Sequence, residues 1–241
     1  MKVLIFGITG GIGSALARRL IGAGHVVFGS ARDSTRLGVL GEQIGFSSLS
    51  GDVTRSDDVD RVVQTAESIL GGIDGVALCV GSILLKPAHL TTDEEWHATV
   101  ALNLTAAFYV MRASVRAMQR SGGSIVLVST CAARIGLPNH EAIAAAKAGV
   151  EGLARSAAAT YAPRQIRVNV VAPGLVNTPL ASRITGNEAA LKSSIAMHPL
   201  GRIGDPDDVA SAIAWLLDPA QGWVTGQTIG VDGGLAYLRG R

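Results

Sequence analysis

Val3-Leu4-Ile5-Phe6-Gly7-Ile8-Thr9-Gly10-Gly11-Ile12-Gly13 carries the chain from a continuously apolar run, through a cluster of glycines, into Ala15, Leu16, Leu20 and Ile21. The run has the length and composition of a buried strand, and the apolar spacing that follows is that of an amphipathic helix. Glycines in such a turn let backbone N–H groups approach a pyrophosphate, and the helix N-terminus adds favourable dipole charge. Strand, turn and helix therefore predict a phosphate-binding loop made of Gly7, Thr9, Gly10, Gly11, Ile12 and Gly13.

Further apolar runs, at residues 26–28, 75–80, 125–128, 167–171 and 228–231, read as buried strands, and segments of helical period separate them. Apolar strands alternating with helices predict an α/β chain: a single-domain, Rossmann-like, doubly wound parallel sheet with helices on both faces. The domain is expected to span residues 1–241, with neither repeat nor linker. The polar stretch 179–199 follows the Pro173-Gly174 pair, lacks strand character and reads as an inserted helical lid.

Bulk properties bound the function. With 241 residues and 48% hydrophobic composition there is material for one large core. The net charge of +2 comes without a run of lysine or arginine, so no nucleic-acid partner is expected. The apolar run after Met1-Lys2 stops at Gly7 and is followed by Arg18 and Arg19, unlike a signal peptide. No uninterrupted apolar stretch reaches the ~18 residues of a membrane span. These readings predict a cytoplasmic protein that does not engage a membrane. Cys79 and Cys131 offer no disulfide framework, and no metal centre is expected.

The Gly7, Gly11, Gly13 spacing resembles the three-glycine loop of the short-chain dehydrogenase/reductase family. Similar motifs run through the chain: Asp52-Val53, Asn103, the segment from Arg167 to Gly174, Val176 and Thr178, then Val224-Thr225-Gly226-Gln227 and Val231-Asp232-Gly233-Gly234. The final segment resembles the acyl-thioester ketone reductases of that family. The resemblance implies a ketone reductase or alcohol dehydrogenase using NAD(P)(H), acting on a small molecule and assembled as a homo-oligomer, a tetramer or dimer. It implies that Asp52 and Val53 line the adenine and that Gly81, Pro173, Gly174 and Val176 border the cofactor. Thr178 would bond the nicotinamide carboxamide, Lys147 the nicotinamide ribose, and Asn103 a water in a proton relay.

An NAD site usually ends its second strand in a carboxylate that accepts from the ribose 2′-OH; Ser30 stands there, with Arg32 two residues on. Hydroxyl and guanidinium suit a 2′-phosphate, which favours NADP(H), while Asp33 leaves NAD(H) open.

The catalytic pattern departs from the family. Relatives place a serine, a tyrosine and a lysine at fixed spacing; counting back from Lys147 puts Ile143 at the tyrosine position and Thr130 at the serine position. Isoleucine moves no proton. His140 shares the helical face of Lys147 and is the leading substitute acid, with Asn139 expected as N-cap and Glu141 a weaker candidate. Leu78-Cys79-Val80-Gly81 replaces the family's Asn-Asn-Ala-Gly. Tyr109 and Tyr161 read as packing residues, and Tyr237 as reaching a site only across a subunit interface. Three functions are carried forward: an oxidoreductase using Thr130, His140, Lys147 and Asn103; a catalytically silent dinucleotide binder; and a non-redox proton-transfer enzyme. Specificity is expected from residues 82–90, 134–141 and the lid.

Overall fold

The computed structural model describes residues 1–238. Seven parallel strands form one sheet: β1 (Lys2–Phe6), β2 (Val26–Ser30), β3 (Ser47–Ser48), β4 (Gly75–Leu78), β5 (Gly123–Val128), β6 (Ile166–Pro173) and β7 (Thr228–Val231). Their order is β3-β2-β1-β4-β5-β6-β7. The chain reverses its winding between β1 and β4, which places the ligand crevice of such a sheet beyond their C-terminal ends. Register brings Phe6 beside both Ser30 and Leu78, so Gly7, Ala31 and Cys79 leave the sheet together.

Alternation along β1 feeds two cores. Leu4 and Phe6 join one apolar cluster, and Val3 and Ile5 join the other. On the first face lie α3 (Ser56–Leu70), α5 (Ala106–Met118) and α6 (Glu141–Tyr161); on the second lie α1 (Gly11–Gly22) and α9 (Pro206–Leu217). Between them in sequence come α2 (Ser34–Ile44), α4 (Asp93–Val100), α7 (Ser182–Thr185) and α8 (Glu188–Met197). In α3, Val59, Val62, Val63, Ala66 and Leu70 form the buried stripe, Asp57 and Asp58 favour the positive N-terminus, and Gly71 ends the helix in the left-handed conformation.

The strands β1, β2, β4, β5, β6 and β7 coincide with the predicted apolar runs within a few residues, and the expected α/β architecture is the observed one. One local expectation is corrected. Asn139 does not cap α6: it adopts φ 64°, and His140 is the N-cap residue, with no side-chain cap bond. An N-cap residue typically has extended backbone, which the left-handed Asn139 lacks, and the helix starts one residue later, at Glu141. Asn103 sits in a π-helical turn, Ala101–Thr105, joining α4 to α5. The run Asp93–Met118 is long and apolar enough to span a membrane, yet half of its most apolar window is buried within the protein.

Candidate functional site

The loop after β1 turns on Gly7, whose φ is +78° and whose N–H donates to the Ser30 carbonyl at 2.8 Å. A Cβ at Gly7 would lie 2.8 Å from Val80 Cγ2 and 2.9 Å from the Cys79 carbonyl, so only glycine lets the loop rest on the end of β4. Gly7, Thr9, Gly10, Gly11 and Ile12 wall a cavity of about 210 Å³ together with Ser30, Arg32, Val53, Gly81 and Thr178. Gly13 is one step behind, packed on the loop itself.

The donors of this cavity suit a nucleotide. Ser30 is buried and its hydroxyl has no hydrogen-bond partner among the described residues, an orphan that a ribose or phosphate oxygen would satisfy. Arg32 is exposed at the rim, and Arg36, which the sequence reading missed, donates to the Thr9 carbonyl at 3.4 Å. Asp33 accepts from the Arg36 N–H at 3.0 Å through Oδ1 and caps α2, which turns that oxygen toward the helix. Asp52 does not line the cavity: its carboxylate accepts from the Thr54 N–H and hydroxyl, while neighbouring Gly51 and Val53 face inward. The local Asx-type turn holds it there.

Cys79, Val80, Gly81, Thr178 and Leu180 also border a larger cavity of about 680 Å³, making one continuous cleft. Its floor holds Thr130, Ile143 and Lys147, and its walls hold His140, Pro173, Gly174 and Val176. A Cβ at Gly81 would meet Asn103 Oδ1 at 3.2 Å and Lys147 Nζ at 3.4 Å, so the three converge. The π turn aims Asn103 inward; its amide donates to the Ser82 hydroxyl and the Thr99 carbonyl, both at 2.9 Å, and its oxygen accepts from the Ser82 N–H.

Thr130 holds its hydroxyl loosely, accepting from the Ala132 N–H at 3.3 Å and donating to the Pro173 carbonyl at 3.5 Å. Burial pushes the Lys147 ammonium down to about 8. Burial likewise pushes the thiols of Cys79 and Cys131 up, to about 12 and about 11, so neither is a nucleophile at neutral pH. His140 is half-buried, with Nδ1 2.7 Å from the Pro138 carbonyl. A carbonyl only accepts, so Nδ1 carries hydrogen and Nε2 is the nitrogen left for other partners. Glu141 is exposed and outside the cavity lining. Tyr109 packs against the core, Tyr161 ends α6, and the Tyr237 hydroxyl accepts from Arg134 of its own chain.

Four further residues have roles that the sequence reading missed. Ser129 donates to the Glu151 carboxylate at 3.0 Å, and Arg134 pairs with that carboxylate at 3.2 Å, bracing the loop beside Thr130. His198, 3% exposed, lies within 2.6 Å of the Ser194 carbonyl through Nδ1 and accepts from the Leu175 N–H through Nε2 at 3.2 Å. Those partners fix a neutral ring that ties α8 to the end of β6. Nothing local in sequence marks either role, since Glu151 and Leu175 are brought to their partners only by the fold.

The enoyl-(acyl carrier protein) reductase family model matches residues 7–236. A 3-oxoacyl-[acyl-carrier-protein] reductase, FabG, from Vibrio cholerae is 32% identical, covering 98% of this chain and 97% of its own. A short-chain type dehydrogenase/reductase from Mycobacterium ulcerans superposes with TM-score 0.94 at 32% identity, over 99% of this chain and 90% of its own. A variant of the actinorhodin polyketide ketoreductase with NADPH superposes with TM-score 0.91 at 29% identity, over 98% of both chains.

Proposed function

Because the chain belongs to the short-chain dehydrogenase/reductase family, we propose that it is an NADP(H)-dependent oxidoreductase of a ketone/alcohol pair whose active site works without the usual tyrosine. The observation that carries this reading is the continuous cleft from the glycine loop to the cavity floor, with Thr130, Lys147 and His140 along its inner end.

The loop Gly7 to Gly13 would hold the pyrophosphate, Ser30 with Arg32 and Arg36 the adenosine-side phosphate, Val53 the adenine, and Thr178 the carboxamide. When bound, the nicotinamide supplies or accepts the hydride. Thr130 swings its weakly held proton toward the substrate oxygen and fixes the carbonyl for attack. His140 gives the proton from Nε2, and the Pro138 carbonyl at Nδ1 orients the ring for that transfer. Lys147 positions the ribose, and Asn103 with Ser82 orients the lysine end of the cleft. The segment Pro179 to His198 closes over the substrate. The exposed Phe108 on α5 offers an apolar contact through which a homo-oligomer, a tetramer or dimer, would assemble.

The test is turnover of NADPH with a ketone panel by wild type and His140→Ala. Loss of the acid is expected to lower kcat by about 10²-fold or more; unchanged kcat removes His140 from the reaction.

A second reading is favoured by one observation: Ile143, 5% exposed, presents only methyl groups to the floor one turn before Lys147. On that reading the chain binds dinucleotide without turning it over, and Ile143→Tyr creates ketone reduction where wild type has none.

A further inference from the structure

We infer that the substrate is an apolar ketone or alcohol carrying a single carboxylate, and that Arg183 recognises that carboxylate. This rests on the ketone/alcohol reading above and specifies its substrate class. The walls of the 680 Å³ cavity include Ile83, Leu85, Leu137, Ile184, Met197 and Leu235. Such walls desolvate an alicyclic or polycyclic carbon skeleton favourably, while the hydroxyl and amide groups among them, such as Ser82, Thr130, Asn187 and Ser193, carry no charge.

The charged lining is one-sided. Arg183 and Lys147 border the cavity with His140 and His198, and among the described residues no aspartate or glutamate does. Lys147 is spoken for at the floor, donating to the Val128 carbonyl at 2.8 Å. His198 is neutral, with both ring nitrogens bonded to backbone. Arg183, on the short helix α7, is exposed at the mouth and pairs with no acidic group among the described residues. A guanidinium on an apolar rim can bind a carboxylate through two parallel hydrogen bonds, and its planar fork fixes the direction of the pair. A substrate that reaches from Thr130 to this rim would thus be held by its reacting oxygen at one end and its charge at the other. A neutral ketone leaves the second end unanchored.

The experiment compares an oxo-decalin carboxylate with its methyl ester, using NADPH and the full chain, in wild type, Arg183→Gln and Arg183→Glu. Wild type is expected to favour the acid over the ester by about tenfold or more in kcat/KM, the worth of one charged hydrogen-bonded pair. Arg183→Gln is expected to erase that preference and Arg183→Glu to reverse it, chiefly through KM. Equal handling of acid and ester by wild type, or a preference that survives Arg183→Glu, overturns the inference while leaving ketone reduction standing. If neither compound is turned over, the hydride-transfer reading fails separately. Calorimetric binding of the two compounds to NADPH-loaded protein then decides the charge question: tighter binding of the acid, lost in Arg183→Glu, upholds it, and equal binding refutes it.

Discussion

Lys147 Nζ donates to the Val128 carbonyl at 2.8 Å, tying α6 to the end of β5. The amine is 6% exposed, and desolvation pushes its pKa down to about 8 from the ordinary 10.5, with Cys79 opposing. Below about pH 8 folded and unfolded chains both hold the proton, and the folded one bears the cost of a buried cation. Between about pH 8 and 10.5 the unfolded chain binds more protons than the folded one, so stability from this group rises with pH. Relative to Lys147→Met, wild type is therefore expected to gain up to about 3 kcal/mol between neutral pH and the top of that window. Urea midpoints of both proteins at the two pH values check this; parallel trends would refute it.

Glu151 is the buried centre of a brace. Ser129 and Arg134 both reach its carboxylate, at 3.0 Å and 3.2 Å, and the carboxylate side chain is 9% exposed. Among the described residues, removing it leaves the Arg134 guanidinium with the Tyr237 hydroxyl alone and the Ser129 hydroxyl with the Lys147 carbonyl alone, and takes the charge partner from beside the Thr130 loop. Glu151→Ala is expected to cost about 2–4 kcal/mol, and Glu151→Gln less because the amide oxygen still accepts. A denaturation midpoint for Glu151→Ala equal to that of wild type would show that the brace is idle.

Most of the sheet was legible because its strands are buried on both faces and so read as unbroken apolar runs, as at Val3 to Phe6. The short strand Ser47–Ser48 gave no such signal: it is polar, exposed and held by two register pairs to β2. The glycine turn after β1 was legible because close backbone approach demands glycine. The π turn at Asn103 was not, since one widened turn leaves the apolar period almost intact. His198 and Arg36 were invisible for another reason: their partners, Leu175 and Thr9, are distant in sequence, and only the fold brings them near.

Cofactor choice should follow the two arginines at the adenosine end. Asp33 caps α2 through its Oδ1, which turns that oxygen toward the helix, while Arg32 is exposed at the rim and Arg36 donates to the Thr9 carbonyl of the glycine loop. Replacing both Arg32 and Arg36 with alanine is expected to weaken NADPH binding by about 10- to 100-fold, at about one charged contact each, and to leave NADH nearly unaffected. Ser30→Asp is expected to move preference toward NADH, because a carboxylate accepts from a ribose hydroxyl and repels a phosphate. Calorimetric titration of both nucleotides decides it; an equal loss for NADPH and NADH would mean that the arginines act only on the shared pyrophosphate.

Three glycines of α1 separate steric demand from helix propensity. A Cβ at Gly13 would stand 2.3 Å from the Gly7 carbonyl oxygen, a backbone atom that cannot yield, so Gly13→Ala is expected to cost about 3 kcal/mol or more. A Cβ at Gly11 would meet Thr178 Cγ2 at 2.7 Å. That is a side chain able to rotate, so Gly11→Ala is expected to keep the fold and to weaken NADPH binding by displacing Thr178. At Gly22, in the last turn of the helix, a Cβ would meet nothing within 4 Å, and Gly22→Ala is expected to stabilise by about 0.5–1 kcal/mol. Thermal melts of the three variants, with nucleotide titration of Gly11→Ala, test the ordering. A Gly13→Ala protein as stable as wild type would mean that Gly7 can move, and with it the geometry assigned to the phosphate loop.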